Sequence, residues 1–212
     1  MLALSIDRAG LPFVAAAGVP SVVALAAGAQ PIALVLLLLP IAVALFFRDP
    51  DRTPPQGSDL VLSPADGTVT FAGEGPADQS PPGAWRQVTI FLSPLDVHIN
   101  RTPVAGRVLQ VEYRPGTFRP AFRHDAHRNE QSEIWFDHQG QVVVARQVVG
   151  AMARRVVCRL QPGDVVSTGA RFGLMKFGSR MDVFVPMTAT LAVTAGQRVR
   201  AGESVIARLA AS

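Results

Sequence analysis

The chain begins with a long apolar segment and then changes to short alternating runs. Residues 9–47 contain no charged side chain, and they form two apolar runs, 11–29 and 32–47, separated by Gln30 and Pro31. A helix needs about 17 to 25 residues to cross the hydrocarbon layer, so each run is close to the lower limit. Helices on the surface of a globular domain usually keep one polar face, which is absent here. The pattern therefore predicts a membrane-anchoring helical hairpin in residues 1–47.

The charged residues beside this segment predict its orientation. Arg8 precedes it, Arg48 and Arg52 follow it, and the connection between the two runs is uncharged. Because Lys and Arg next to membrane helices favour the cytoplasmic side, we expect both ends of the hairpin, and the domain that follows, on the cytoplasmic side of the cell membrane. A shallow re-entrant anchor, a cleaved signal peptide in residues 1–27 and a buried hairpin of a soluble protein are the alternatives.

A Pro- and Asp-rich linker, residues 48–62, separates the apolar segment from a region with a different period. Short β-branched runs bounded by Gly, Pro and Asp predict antiparallel strands. These runs are 88–93, 107–114, 133–138, 141–149, 154–160, 181–186, 190–194 and 204–209. Two segments with Ala-Gly turns, SPADGTVTFAGEG and TATLAVTAGQRVRAGESVIARL, are typical of barrel-sandwich folds. We therefore predict a mainly β, antiparallel, barrel-sandwich-like domain over residues 63–212.

Composition narrows the classes of partner. The net charge is +4 and Cys158 is the single cysteine, which excludes an intrachain disulfide framework. There is no basic run with interleaved aromatic residues, so we expect no nucleic acid partner, and anionic lipid is the better match for a cationic chain with a membrane segment. The histidines at 124, 127 and 138 have no carboxylates at ligand spacing, so we predict no metal site.

Four motifs occur in one order along the chain: FFRDP at 46–50, SPADGTV at 63–69, FLSPLDVHINRTPVAG at 91–106 and FGSRMDVFVP at 177–186. Together they resemble the phosphatidylserine decarboxylase proenzymes, particularly the short form of that family. The resemblance covers most of residues 46–212. Gly178-Ser179 alone would carry no weight, because Ser is a poor nucleophile without a neighbouring base.

The resemblance implies a self-processing enzyme. The chain would be cut between Gly178 and Ser179, and Ser179 would become a pyruvoyl group, so no external cofactor would be needed. That group would form a Schiff base with the amine of phosphatidylserine and accept the electron pair released with carbon dioxide, giving phosphatidylethanolamine. The expected partners are phosphatidylserine in the membrane and the large and small chains of the same precursor.

The resemblance also implies roles for individual residues. His98 is the expected base for Ser179, and Asp66 is the expected carboxylate that orients the imidazole. Longer relatives carry a second histidine where this chain has Arg101, so His98 would serve both steps or Arg101 would bind substrate. Arg123 is a further candidate for the lipid phosphate or carboxylate, together with other arginines of the same irregular loop, Arg114, Arg119 and Arg128.

Other interpretations remain open at this point. Asp66 before Gly67 fits a turn residue, and Asp96 fits a cap of the loop that presents His98. Lys176 fits the attachment lysine of a biotinyl or lipoyl carrier, which makes a membrane-tethered, non-enzymatic adaptor or carrier module the rival function. A homodimer that covers exposed strand edges is a further expectation.

Overall fold

The computed structural model describes residues 5–121, 124–151, 156–175 and 179–210. The chain forms two compact units, Met1–Asp51 and Arg52–Ser212. Each unit is described here by itself.

The first unit is helical. A 3-10 turn, Arg8–Gly10, leads into α1 (Leu11–Ala26), which is followed by α2 (Gln30–Leu36) and α3 (Leu38–Phe46). Pro40 explains the break between α2 and α3, because it lacks the N–H that would bond to the carbonyl of the residue four positions earlier. Both α2 and α3 pack against α1. The predicted N-terminal apolar helical hairpin is confirmed.

The two ends of this unit are joined by main-chain hydrogen bonds. Ile6 and Arg48 form an antiparallel bridge, the Asp7 amide donates to the Phe47 carbonyl over 3.0 Å, and the Asp49 amide donates to the Ser5 carbonyl over 2.8 Å. The chain therefore enters and leaves the hairpin at the same end.

The helices of this unit expose large apolar side chains. Leu34 is 69% exposed and Val22 is 67% exposed, and most other apolar residues of α1 to α3 are also exposed. Arg8–Ala26 is long and apolar enough to cross a membrane by length and composition, whereas Gln30–Phe46 is shorter. An exposed apolar surface of this kind suits contact with lipid.

The second unit is built from short strands and one 3-10 helix, His124–Arg128. The strands are β1 (Leu60–Leu62), β2 (Gly67–Glu74), β3 (Trp85–Leu92), β4 (Ile99–Arg101), β5 (Gly106–Arg114), β6 (Gln131–His138), β7 (Gln141–Val148), β8 (Val156–Cys158), β9 (Val165–Val166), β10 (Arg171–Met175), β11 (Ser179–Pro186), β12 (Thr190–Leu191), β13 (Arg198–Val199) and β14 (Val205–Arg208).

These strands form three antiparallel sheets. The largest has the order β13-β2-β3-β11-β7-β6-β5-β9, and the two small sheets have the orders β1-β14-β12 and β4-β10-β8. β11 is a central strand, since it pairs with β3 on one side and with β7 on the other. The predicted fold class, mainly β with antiparallel strands, is confirmed.

The core lies on one face of the large sheet. Alternate residues of β11, Met181, Val183 and Val185, point to this face and pack with Ile90 of β3 and Ile134 of β6. Side chains from the small sheets and their loops complete the same cluster, among them Val61, Phe172 and Ile206. The half-buried Cys158 packs at its margin, and burial raises the pKa of its thiol.

Each of the eight predicted strands overlaps an observed strand. β2 and β13 lie in the two segments predicted as barrel-sandwich elements, and β1 occupies the last three residues of the segment predicted as a linker. β4, β9 and β10 had no counterpart among the predicted strands. They contain two to five residues each, and their sequences show no alternation that distinguishes them from the loops beside them.

Candidate active site

Ser179 is the first residue of the central strand β11. It pairs with Leu92, the last residue of β3, and it is fully buried. Its Oγ atom has no hydrogen-bond partner in the part of the chain that is described. Leaving a buried hydroxyl unpaired costs about 1–3 kcal/mol. A reactive serine therefore fits this position better than a purely structural serine. Gly178 and Lys176 lie outside the described residues, and so does the predicted scissile bond on its Gly178 side.

His98 is held in a buried position beyond the end of β3. The turn before it is capped by Asp96, whose Oδ2 accepts from the Ser93 amide over 2.8 Å and whose own amide donates to the Ser93 carbonyl over 3.0 Å. The His98 Nδ1 atom lies 2.8 Å from the Asp96 carbonyl oxygen. A carbonyl can only accept, so Nδ1 carries the proton and the ring lone pair is on Nε2. The structural role suggested for Asp96 is confirmed.

Chain connectivity brings His98 and Ser179 into one neighbourhood. The His98 carbonyl accepts a hydrogen bond from the Met175 amide over 3.2 Å. Met175 ends β10 and precedes Ser179 by four residues, which can span at most about 14 Å. From the other side, Ser179 pairs with Leu92, only six residues before His98. The structure therefore gathers the predicted base and nucleophile around the ends of β3, β10 and β11.

Asp66 lies in the turn before β2, where both of its carboxylate oxygens are bound. Oδ1 accepts from the Ala201 amide over 2.7 Å, and Oδ2 forms an ion pair with Arg52 at 2.9 Å. Arg52 also forms an ion pair with Glu203 at 2.8 Å. The next residue is Gly67. A Cβ at this position would lie 2.3 Å from the Phe91 carbonyl oxygen, so only glycine fits without a shift of the backbone.

The electrostatic balance at Asp66 has opposing contributions. Burial raises the pKa of its carboxyl above the usual value, and the negative charge of Asp96 adds to this rise. The hydrogen bond from Ala201 and the positive charge of Arg52 lower the pKa but do not cancel the effect of burial. Asp66 is therefore a carboxylate whose ionisation depends on its neighbours.

The observed orientation of His98 differs from the prediction. We expected the Asp66 carboxylate to fix the imidazole, but the carbonyl of Asp96 is bonded to Nδ1 and the Asp66 oxygens bind Arg52 and the Ala201 amide. A main-chain carbonyl can set the tautomer as a carboxylate does, because both only accept.

Of the two arginines predicted first for substrate binding, Arg101 lies within the described residues and Arg123 does not. Arg101 is buried at the end of β4, and its Nη1 donates to the Gly169 carbonyl over 3.1 Å. Arg114, which was predicted in the irregular loop, is instead the last residue of β5 and forms an ion pair with Glu112 at 2.8 Å.

Several residues near the site were not identified from the sequence. Arg52 forms ion pairs with both Asp66 and Glu203. Arg198 forms an ion pair with Asp96 at 2.5 Å. Arg52 and Asp66 are 14 positions apart, and the other two pairs join residues 151 and 102 positions apart, so no local pattern indicates them. Within the described ranges, no group of three or more His, Cys, Asp or Glu side chains is arranged to hold a metal ion.

Comparison with known proteins gives a consistent result. A family model described as phosphatidylserine decarboxylase matches residues 39–207. A phosphatidylserine decarboxylase proenzyme of Chlorobium luteolum is 42% identical over 185 residues, covering 84% of this chain and 86% of the relative. The proenzyme of Salinibacter ruber is 46% identical over 171 residues (79% and 75% of the two chains), and that of Anaplasma phagocytophilum is 42% identical over 211 residues (97% and 91%). The chain therefore belongs to the phosphatidylserine decarboxylase family.

Proposed function

We propose that the protein is a membrane-anchored proenzyme that cuts its own backbone between Gly178 and Ser179 and then decarboxylates phosphatidylserine to phosphatidylethanolamine. Membership of the family supports the reaction. The observation that carries the self-cleavage is the fully buried Ser179, whose Oγ lacks a hydrogen-bond partner within the described residues and which stands at the start of β11.

The cleavage uses the serine hydroxyl as an internal nucleophile. His98 Nε2 takes the proton from Ser179 Oγ, and the oxygen attacks the carbonyl carbon of Gly178. The C–N bond breaks and the nitrogen is protonated, so the amide becomes an ester. Removal of the Ser179 α-proton then expels the carboxylate of Gly178, and the dehydroalanine left behind hydrolyses to a pyruvoyl group with release of ammonia.

Asp66 acts in this step through its charge. An ionised carboxylate close to the site favours the positive imidazolium that forms when His98 takes the proton. The Ala201 amide and Arg52 keep this carboxylate in place. Asp66 is thus an electrostatic partner of His98 in the proposal, while the Asp96 carbonyl orients the ring.

The mature site needs no external cofactor. The pyruvoyl keto group supplies the electron sink for loss of carbon dioxide from the amine-bearing headgroup. Arg101 and Arg123 bind the phosphate or carboxylate of the lipid, to which a guanidinium can donate two hydrogen bonds. The apolar hairpin keeps the enzyme at the cytoplasmic side of the membrane that holds its substrate.

The proposed cut divides the chain into residues 1–178 and 179–212. The smaller chain begins with β11, which is hydrogen-bonded to β3 and β7 along most of its length. It also supplies β12, β13 and β14 to two of the sheets. The two chains therefore stay together after cleavage.

We also propose that two copies associate through a sheet edge. β9 and the turn before it cover the outer edge of β5 at Gly106, Arg107 and Val108, and the exposed Leu109 and Tyr113 lie farther along β5. An uncovered strand edge favours pairing with another chain.

The proposed cleavage predicts a simple difference between the wild-type protein and Ser179→Ala. The wild-type chain should give fragments of residues 1–178 and 179–212 on a denaturing gel, and Ser179→Ala should remain one band because alanine has no nucleophile. Ser132→Ala, which changes another buried serine in β6, should still be cut. Two fragments from Ser179→Ala, or an uncut wild-type chain, would contradict the proposal.

Two further measurements on the wild-type protein complete this test. The intact mass of the small fragment should show a keto-blocked N-terminus that reacts with hydroxylamine. The cut protein should release labelled carbon dioxide from carboxyl-labelled phosphatidylserine in vesicles. Cut protein that releases no carbon dioxide would support the proposed cleavage and contradict the proposed decarboxylation.

A further inference from the structure

A pair of buried amide side chains lies on the same face of the sheet as Ser179. Gln147 of β7 is directly opposite Met181 of β11, and Met181 and Ser179 share a face because they are two residues apart on one strand. Gln147 and Ser179 are therefore diagonal neighbours on adjacent strands, with Cα atoms about 7–8 Å apart. Both side chains are fully buried.

Asn100 completes the pair from the neighbouring small sheet. Gln147 Nε2 donates to Asn100 Oδ1 over 2.8 Å, and it also lies 3.4 Å from the Val157 carbonyl oxygen. Asn100 is fully buried, two residues after His98, and is paired with Gly173 of β10. A Cβ at position 173 would lie 2.1 Å from the Val157 oxygen and 3.2 Å from Gln147 Nε2. Glycine at this position therefore lets the Gln147 amide reach Asn100.

The pair has unused hydrogen-bonding capacity that points to a function. Asn100 Nδ2 and Gln147 Oε1 are buried without a hydrogen-bond partner, as is Ser179 Oγ, among the residues described. Exchanging oxygen and nitrogen in both amides would still leave one NH2 donor and one carbonyl acceptor unpaired. Unpaired polar groups are unfavourable in a protein interior, so three of them in one buried region indicate a site prepared for a group that forms during a reaction.

We propose that Asn100 is a catalytic residue of the self-cleavage, and that Gln147 is the positioning residue that holds it. As the Oγ–C bond forms, the π electron pair of the scissile carbonyl moves onto its oxygen. The amide N–H of Asn100 donates to this oxyanion. When the C–N bond breaks, the electron pair returns to form the ester carbonyl and the proton held by His98 passes to the nitrogen. This role rests on the proposed self-cleavage at Ser179.

The inference is tested by the rate at which newly made precursor is cut. Full-length chains are synthesised in a cell-free system with phospholipid vesicles, and the two fragments are followed on denaturing gels. Asn100→Ala should be cut about 10²- to 10³-fold more slowly than the wild-type chain, the usual effect of removing one oxyanion donor. Asn100→Ser, which keeps a hydroxyl donor, should recover part of the rate. Gln147→Ala should slow the cut by about 10- to 100-fold, as for groups that orient a primary ligand.

Two readouts separate this role from a structural one. Because an amide does not titrate, the pH dependence of the residual cleavage should match that of the wild-type chain. Hydroxylamine, which cleaves esters, should not accelerate the variants, since the defect precedes the ester. Asn129→Ala is the matched control. It removes another buried asparagine whose Nδ2 already donates to the carbonyls of Arg119 and Val149, so its rate should be unchanged once the folded fraction is equal.

Fluorescence of Trp85 and Trp135, which pack edge to face at 5.9 Å, reports the folded fraction of each variant. Folded Asn100→Ala that is cut at the wild-type rate would overturn the role of Asn100. Ester accumulation, detected as acceleration by hydroxylamine, would also overturn it, because the defect would then lie after the acyl shift. An uncut wild-type chain would instead remove the proposed function itself, so the two failures are distinct.

Discussion

Arg52 connects two carboxylates that belong to opposite sides of the proposed cut. Its guanidinium lies 2.9 Å from Asp66 Oδ2 and 2.8 Å from Glu203 Oε2, and its side chain is 9% exposed. Burial raises the pKa of Asp66, and Arg52 is one of the groups that lower it. Arg52 therefore favours the ionised form of Asp66.

Replacement of Arg52 should shift the pH dependence of self-cleavage. In Arg52→Gln the pKa of Asp66 should rise further, because burial is then opposed by the Ala201 amide alone. If the cut needs ionised Asp66, the acid limb of its pH–rate profile should move to higher pH. Arg52→Lys, which keeps a positive charge, should show a smaller shift than Arg52→Gln. The profile is measured on newly synthesised precursor in buffers of different pH.

Arg208→Gln is the control for this prediction, since it removes an exposed ion pair with Asp59 that has no contact with Asp66. An acid limb that stays in place in Arg52→Gln would show that Arg52 does not govern Asp66. The same carboxyl also affects stability. Its folded pKa lies above the unfolded value, so it favours the folded state most at low pH, and this contribution is lost as the pH rises through the folded pKa.

The site residues divide into those that the sequence indicates and those that only the fold assembles. Ser179, His98 and Asp66 stand in recognisable motifs, and the structure gathers the first two around the same strand ends. The sequence could not indicate Arg52, Asn100 or Gln147. Their contacts depend on strand register and on partners that only the fold brings together.

At the level of elements, β11 is buried on both faces. One face carries Met181 and Val183 into the core. The other carries Asp182, whose Oδ1 accepts from Thr89 Oγ1 over 2.8 Å, and Phe184, over whose ring the Arg146 guanidinium lies at 4.7 Å. The alternation of apolar and polar residues predicted a strand, but the buried polar face depends on partners from β3 and β7.

Met181→Ala should destabilise the second unit by about 2–5 kcal/mol, since it removes a fully buried side chain and leaves a cavity. The change is best made in the uncut Ser179→Ala background, so that one chain unfolds. Urea unfolding in detergent is followed by tryptophan fluorescence, because both tryptophans lie in the second unit. Met187→Ala, at a 38% exposed position, is the control and should change stability by about 0.5 kcal/mol or less. Equal effects of the two changes would contradict the central position of β11.

Sequence periodicity predicted the long strands and missed three of the short ones for a physical reason. β3, β5, β6 and β7 contain eight or nine residues, enough for alternation to be visible. β4, β9 and β10 form because strands from distant parts of the chain provide hydrogen bonds for them, as at Gly106 and Val166. That information is tertiary and is absent from any local window.

On the scale of the whole molecule, the apolar hairpin should determine where the protein resides. The paired change Val22→Asp and Leu34→Asp places charges on exposed apolar helix surface. An acidic residue near the centre of a membrane helix costs about 2.5–3.5 kcal/mol, so the fraction of protein that floats with vesicles should fall. Val165→Asp, at an exposed apolar position of β9, is the control and should float like the wild-type protein. Unchanged flotation of the paired variant would exclude the hairpin as the anchor.

The place of Ser179 at the start of a central strand has a consequence for the mature molecule. The proposed cut would place β11 in a separate polypeptide, held by hydrogen bonds to β3 and β7. Unfolding then becomes a dissociation governed by mass action, and the smaller chain, of about 34 residues, is too short to fold alone. After the proposed maturation, unfolding should therefore be hard to reverse. The uncut precursor should refold, and the cut product should not refold readily.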